Sequence, residues 1–134
     1  MSNESADDII DDVRAAQDKI DALDDQLQDQ IEDIKLAAAR QKRQTSDAEA
    51  AQIEAIEADI AKLADARQAL DIDALIRLDR SGDVAAIKRT LTDTSDGLAD
   101  TLDRLKRIAR FAVIAAQVAD GLAQLAAKAA ALAG

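Results

Sequence analysis

The chain contains no cysteine, histidine, proline, tryptophan or tyrosine, and one phenylalanine among its 134 residues. Without Cys and His it has no disulfides, no thiolate or imidazole metal ligands, and none of the nucleophile–base pairs that need those residues. The scarcity of aromatic residues counts against a β-sheet protein and against a small-molecule pocket. We therefore expect no enzyme activity, no cofactor, no metal and no small-molecule substrate.

Alanine dominates what is present, with 32 Ala beside 14 Leu and 13 Ile, so alanine makes up about half of the apolar residues. Most of the abundant residue types, including Gln, Lys and Arg, favour helix. No proline interrupts the chain, and only four glycines are present. The composition predicts an all-α protein, and we expect residues 1–134 to form a single helical domain.

Charge is distributed unevenly, although the net value is −10. Residues 1–33 carry twelve acids against two bases, whereas residues 34–134 carry fifteen of each. An acidic N-terminal third repels phosphates, so we expect no nucleic-acid partner. This acidic third provides either solubility or a surface that pairs with basic residues, in the same chain or in a partner.

Within residues 5–44, apolar residues recur at alternating spacings of three and four. This pattern is typical of a coiled coil or a long bundle helix. The pattern loses phase near residue 45 and resumes over about 46–79. A turn at 44–46, with Ser46 capping a second helix and Glu49 at its third position, competes with one rod of about 110 Å over residues 5–79. The oligomer seam predicted from both stretches comprises Val13, Ile20, Leu27, Ile34, Ile53, Ile56, Ile60 and Leu63.

The clearest break is at 79–83, where Gly82 suits a left-handed turn and Asp83 suits a helix cap. A third helix is predicted over about 83–133. We expect a kink or break in it at 92–97, because Thr, Ser, Asp and Gly there compete for the backbone. The predicted architecture is an antiparallel coiled-coil hairpin or a three-helix bundle of long amphipathic helices, with an Ala-rich apolar C-terminal helix.

The C-terminal segment 111–134 carries two charged residues, Asp120 and Lys128, and its longest uncharged run is too short to span a bilayer. Three interpretations remain open: a buried core helix, a membrane-seeking helix, or a helix lying on a lipid surface. The first thirty residues show no secretion signal. We therefore expect a cytoplasmic protein, peripheral to or inserted in a membrane if this segment contacts lipid. The candidate membrane or assembly helix comprises Phe111, Val113, Ile114, Val118, Leu122, Leu125 and Leu132.

A basic patch immediately precedes this segment and comprises Arg104, Lys106, Arg107 and Arg110. Such a cluster suits anionic lipid headgroups. It also suits the acids of a parallel first helix, because an up-down-up arrangement places 104–110 beside 26–32. The acids in question are Asp25, Asp29, Glu32 and Asp33.

Polar side chains occupy several seam positions, namely Gln30, Gln41, Gln44 and Arg67. They leave a lone three-helix chain with a thin core, and buried polar residues at a seam often set an oligomer state. We therefore expect a non-catalytic, self-associating helical subunit of a homo-oligomer, with structural or interaction roles. The alternative is a membrane-active protein, pore-forming or membrane-docking, that uses residues 111–134 and has lipid as its partner.

In composition, the chain resembles three groups of bacterial helical assembly proteins. Components of α-pore-forming toxins pair long helices with an Ala-rich apolar segment, and phasin-like granule coats combine a coiled coil with an amphipathic face. Type III axial filament proteins lack Cys and Trp and carry terminal heptads. The resemblance implies a bacterial protein that acts through self-association or membrane contact.

Overall fold

The computed structural model describes residues 6–132, with side chains from Ile9 onward. Within that range the protein is all-helical, which confirms the predicted fold class, and no strand is present. The five helices are α1 Ala6–Arg40, α2 Asp47–Ala69, α3 Ile72–Arg80, α4 Val84–Leu105 and α5 Ala112–Ala130.

Four of these helices pack side by side in a ring. α1 contacts α2, α2 contacts α4, α4 contacts α5, and α5 contacts α1. Consecutive members run in opposite directions: Lys128 pairs with Asp12 while Arg110 pairs with Asp33, so α5 is antiparallel to α1. The short α3 contacts α1 and α4 near the N-terminal end of α1. This arrangement is an up-down-up-down bundle, with the core between the four long helices.

The antiparallel coiled-coil hairpin and three-helix bundle are not confirmed, because the third predicted helix is two helices. The expected kink or break at 92–97 is wrong, since α4 is continuous through it. The Thr94 hydroxyl donates to the Thr90 carbonyl at 2.7 Å, so this side chain bonds within the helix instead of opening it. The chain instead reverses at 106–111, where bonds between residues three apart form tight turns, as from Phe111 N–H to the Ile108 carbonyl.

The turn predicted at 44–46 is present, and the single rod over 5–79 is wrong. Ser46 caps α2, its hydroxyl accepts from the Glu49 amide at 3.1 Å, and Glu49 accepts from the Ser46 amide at 2.9 Å. This reciprocal capping box satisfies two helix-end donors. α1 ends at Arg40 instead of near 44, because Lys42 takes a left-handed conformation with φ 55°.

The second predicted helix, 46–79, is divided at residues 70 and 71. Asp71 caps α3 by accepting from the Ala74 amide at 3.2 Å. Gln17 of α1 donates to the Leu70 carbonyl at 2.6 Å, which satisfies a group at the break. The next turn follows the prediction at 79–83: Gly82 has φ 75°, and Asp83 accepts from the Ala86 amide at 3.1 Å.

The capping box gives a pH-dependent prediction. The hydrogen bond from Arg43, then that from the Ser46 amide, lowers the pKa of Glu49 from 4.5 to about 2. The lowered pKa means that the Glu49 carboxylate stabilises the α1–α2 turn above pH 4.5, and this contribution is lost as pH falls from 4.5 towards 2. NMR titration of the Glu49 side chain should show the low pKa, and Arg43→Gln should raise it. An unshifted titration in the native chain contradicts the capping box.

Candidate interaction surfaces

The residues of the predicted oligomer seam lie in the core of this one chain. Val13, Ile20, Leu27 and Leu63 are almost completely buried, and Ile34, Ile53 and Ile56 are buried nearer the end of the bundle. Ile60 is partly buried and packs against the same cluster. The four-helix ring therefore covers the seam without a second chain.

The polar side chains expected at core positions lie at its margins. Gln30 accepts a hydrogen bond from Arg110 at 2.7 Å, and Arg67 binds both carboxylate oxygens of Asp21 at 2.6 and 3.1 Å. Gln41 and Gln44 are exposed and lie between α1 and α2. The thin core that favoured an oligomer was expected for a three-helix chain. The fourth long helix adds apolar side chains to the core of this chain.

The C-terminal helix divides its apolar residues between the core and the surface. Phe111, Val118, Leu122 and Leu125 are buried against the other helices, and Ile114 and Leu132 are partly buried. Val113 is 68% exposed. Along the outward side of α5 lie exposed small residues, and we call the following set the α5 outer face: Val113, Ala123, Ala127 and Ala130. Across the described residues, no helix combines the length and apolarity required to cross a membrane.

The predicted basic patch is divided among separate acidic partners. Arg104 binds both carboxylate oxygens of Asp59 on α2 at 2.6 and 2.9 Å, and the Arg104 Nη1 and Asp59 Oδ2 atoms form the longer contact. Arg110 binds Asp33 of α1 at 2.6 Å, whereas the other three acids expected to face the patch, Asp25, Asp29 and Glu32, make no ion pair with it. Lys106 lies 3.4 Å from Asp103, and Arg107 is exposed. The patch therefore has internal partners for three of its four members.

The pairing of Asp59 with Arg104 links α2 to α4. Asp59 is 5% exposed, and an isolated carboxylate is costly to bury. The bidentate contact with Arg104 compensates for this cost. The hydrogen bond to Asp59 raises the pKa of Arg104. Apolar spacing does not reveal this pair, because Asp59 is a charged residue that lies one position before the seam residue Ile60.

At one end of the bundle, bases and exposed apolar side chains coincide. Arg110 lies beside Gln30 and Asp33, so the α4–α5 turn reaches that level of α1. α1 continues to Arg40, about 10 Å further at 1.5 Å per residue. Residues 35–43 and 106–110 therefore belong to this end, and we call these two segments the basic end.

The basic end contains seven bases and no acid, and the start of α2, which lies beside it, carries four acids: Asp47, Glu49, Glu54 and Glu57. Three of the bases pair within the chain: Arg43 with Glu49, Lys106 with Asp103, and Arg110 with Asp33. The other four are exposed and make no ion pair with any described residue: Lys35, Arg40, Lys42 and Arg107.

The large apolar side chains that stand exposed in the described part of the chain also lie at this end. Leu36 is 47% exposed and Ile108 is 41% exposed, and both belong to the basic end. Val113 follows it in the first turn of α5. The exposure of these three side chains depends on where α4 ends.

Elsewhere on the surface, an open depression of about 400 Å³ lies between α2 and α4. Small residues line it, including Ala66, Ala69 and Gly97, with Lys62 and Asp93 among the charged groups. A side chain at Gly97 would meet no atom within 4 Å, so packing inside the chain does not require glycine there.

Groups suited to chemistry are few in the described range. No cluster of three or more acidic residues is arranged to hold a metal ion among residues 6–132. Burial raises the pKa of Asp24, with smaller contributions from Asp25 and Asp21, against a hydrogen bond from Gln28 that lowers it.

No family model, curated protein or solved structure matches this chain.

Because α5 contributes to the core, we expect a buried and an exposed Leu→Ala substitution to lower the free energy of unfolding by different amounts. Leu122→Ala removes a side chain that is 2% exposed and should lower the free energy of unfolding by about 2–5 kcal/mol. Leu36→Ala makes the same change at an exposed position and should cost about 1 kcal/mol or less. Urea unfolding of both variants measures the difference, and equal small losses would mean that α5 is not part of the core.

Burial of Asp59 predicts an asymmetry between the two partners of its ion pair. The Asp59 side chain is 7% exposed, whereas that of Arg104 is 53% exposed. Arg104→Ala strands a buried carboxylate and should cost about 1.5–3 kcal/mol, more than Asp59→Ala, because a released Arg104 reaches water. Urea unfolding of each variant tests this order, and a larger loss from Asp59→Ala contradicts it.

Proposed function

We propose that the protein is a non-catalytic helical-bundle interaction subunit that self-associates into a homo-oligomer. The observation that supports this proposal is the α5 outer face, which leaves apolar surface exposed with little charge. α5 contains two charged residues in Ala112–Ala130, whereas α2 contains eight in Asp47–Ala69. Of those two, Lys128 pairs with Asp12 of the same chain.

Electrostatic repulsion favours α5 as the contact between copies. The net charge is −10, so two copies repel each other except where their surfaces carry little charge. The exposed surface of α1 is mainly acidic as far as Asp33 and carries Asp11, Asp18, Asp25 and Asp29. Contact through that surface would bring several like charges together, whereas Asp120 is the one exposed acid that α5 would bring to the contact.

Small side chains on α5 favour close approach of two helices. Ala123 and Ala127 are four residues apart and Ala130 follows one turn later, a spacing that allows helix backbones to approach closely. A two-fold axis across this face would pair α5 with α5 of a second copy in the antiparallel sense. Such an interface is self-complementary and closes as a dimer.

The alternative function, membrane activity through residues 111–134, is favoured by the exposed Val113 but requires α5 to leave the bundle. Departure of α5 would expose the buried side chains of Phe111, Val118, Leu122 and Leu125. The stabilisation lost from their apolar burial is on the order of 6–12 kcal/mol, and contact with lipid would have to offset it. Self-association through the α5 outer face needs no such opening, which is why we place it first.

Sedimentation velocity over a concentration series tests the proposal. The native chain should shift from its monomer mass of 14.2 kDa towards twice that value as concentration rises. Ala123→Glu should weaken association about tenfold or more, because the interface would bury a charge without a partner. The fold should survive, since Ala123 is exposed.

The matched control is Ala58→Glu, which makes the same change at an exposed position of α2. Helices α2 and α5 do not contact each other, so this variant should associate like the native chain. A constant monomer mass, or equal loss of association in both variants, overturns the proposal.

A further inference from the structure

We propose that the basic end docks onto the surface of an anionic lipid bilayer while the bundle remains folded. The juxtaposition that carries this inference is seven bases and three exposed aliphatic side chains at one end of an otherwise acidic molecule. The proposal goes beyond self-association and uses a different surface from the α5 outer face, apart from Val113 at their border.

Charge segregation orients the molecule. Together with the start of α2 beside it, the basic end holds seven bases and four acids, whereas the rest of the chain holds 23 acids with ten bases. A strongly negative surface attracts the first part and repels the second, so it selects approach with the basic end forward. Because Lys35, Arg40, Lys42 and Arg107 make no ion pair with described residues, these four bases are available to lipid headgroups.

The basic end also presents apolar side chains to a bilayer. Ile108 lies between Arg107 and Arg110 in the α4–α5 turn, so bases and an aliphatic side chain approach a bilayer together. Leu36 lies among the bases at the end of α1, and Val113 begins α5. Interfacial protein segments bind lipid through this combination of buried apolar area and attraction to anionic headgroups.

The same chemistry favours lipid over nucleic acid as the occupant. Single-stranded nucleic acids are bound through aromatic side chains that stack on bases, and the basic end has none. Double-stranded nucleic acids are bound mainly through phosphates and polar base edges, which give Leu36 and Ile108 no apolar contact. A bilayer satisfies both the bases and the aliphatic side chains.

Vesicle flotation with the full chain tests the proposal. The protein should float with phosphatidylcholine vesicles that contain about 30 mol% phosphatidylserine and not with phosphatidylcholine alone. Raising NaCl from about 0.1 M to about 1 M should reduce the bound fraction, because it shortens the screening length from about 10 Å to about 3 Å. Ala123→Glu should float like the native chain, which separates this result from failure of self-association.

Two charge-reversal variants locate the docking surface. Lys42→Glu with Arg107→Glu should lower the bound fraction about tenfold. Arg80→Glu with Arg89→Glu gives the same net charge but alters exposed bases outside the basic end, so it should bind nearly as well as the native chain. Circular dichroism should show the same helix content in both, since all four side chains are exposed. Equal losses of binding overturn the proposal, as does absence of flotation by the native chain.

Fluorescence distinguishes insertion of the apolar side chains from simple charge attraction. Because the chain has no Trp, Ile108→Trp supplies a single indole whose emission should shift to the blue on anionic vesicles. Ala85→Trp places the reporter at an exposed position of the first turn of α4, away from the basic end, and should not shift. Binding to duplex DNA as tight as to vesicles, without a shift at position 108, identifies a general polyanion site and overturns lipid docking.

Discussion

Packing of α5 against α1 and α4 is the interaction on which the rest of the structure depends. It buries Val118, Leu122 and Leu125, and it closes a ring that three helices would leave open. Once the ring is closed, the apolar stripes of α1 and α2 are covered within one chain. The chain therefore needs no partner to complete its core, and any partner must bind a surface that the bundle leaves outside.

The reversal of the chain at 106–111 produces that packing and also decides which surfaces are outside. It ends α4 about two helical turns short of the end of α1, so the α1–α2 hairpin projects beyond it. Ile108 and Val113 lie at the reversal, and Leu36 lies on the projecting part of α1. The apolar surface at this end and the bases around it are therefore consequences of one turn.

Ion pairs join neighbouring helices of the bundle. Asp59 pairs with Arg104 between α2 and α4, Asp33 with Arg110 beside α1, and Asp21 with Arg67 between α1 and α2. Exposed pairs of this kind add little stability, but a buried carboxylate such as Asp59 tolerates few other arrangements. Asp33 is the exposed acid of α1 that pairs with the basic end, whereas Asp11, Asp18, Asp25 and Asp29 lie nearer the N-terminus of α1.

Local chemistry determined the parts of this protein that the sequence predicts well. The helical class follows from residue propensities, and the turns at Ser46 and Gly82 follow from a side chain or a backbone conformation that acts within four residues. The buried faces of α1 and α2 follow from apolar spacing. Only the tertiary structure decided that α4 continues through 92–97 and reverses at 106–111, because no local signal outweighs the apolar burial gained when α5 folds back. It also decided that the seam packs inside its own chain, since heptad spacing specifies an apolar face and not the helix that covers it.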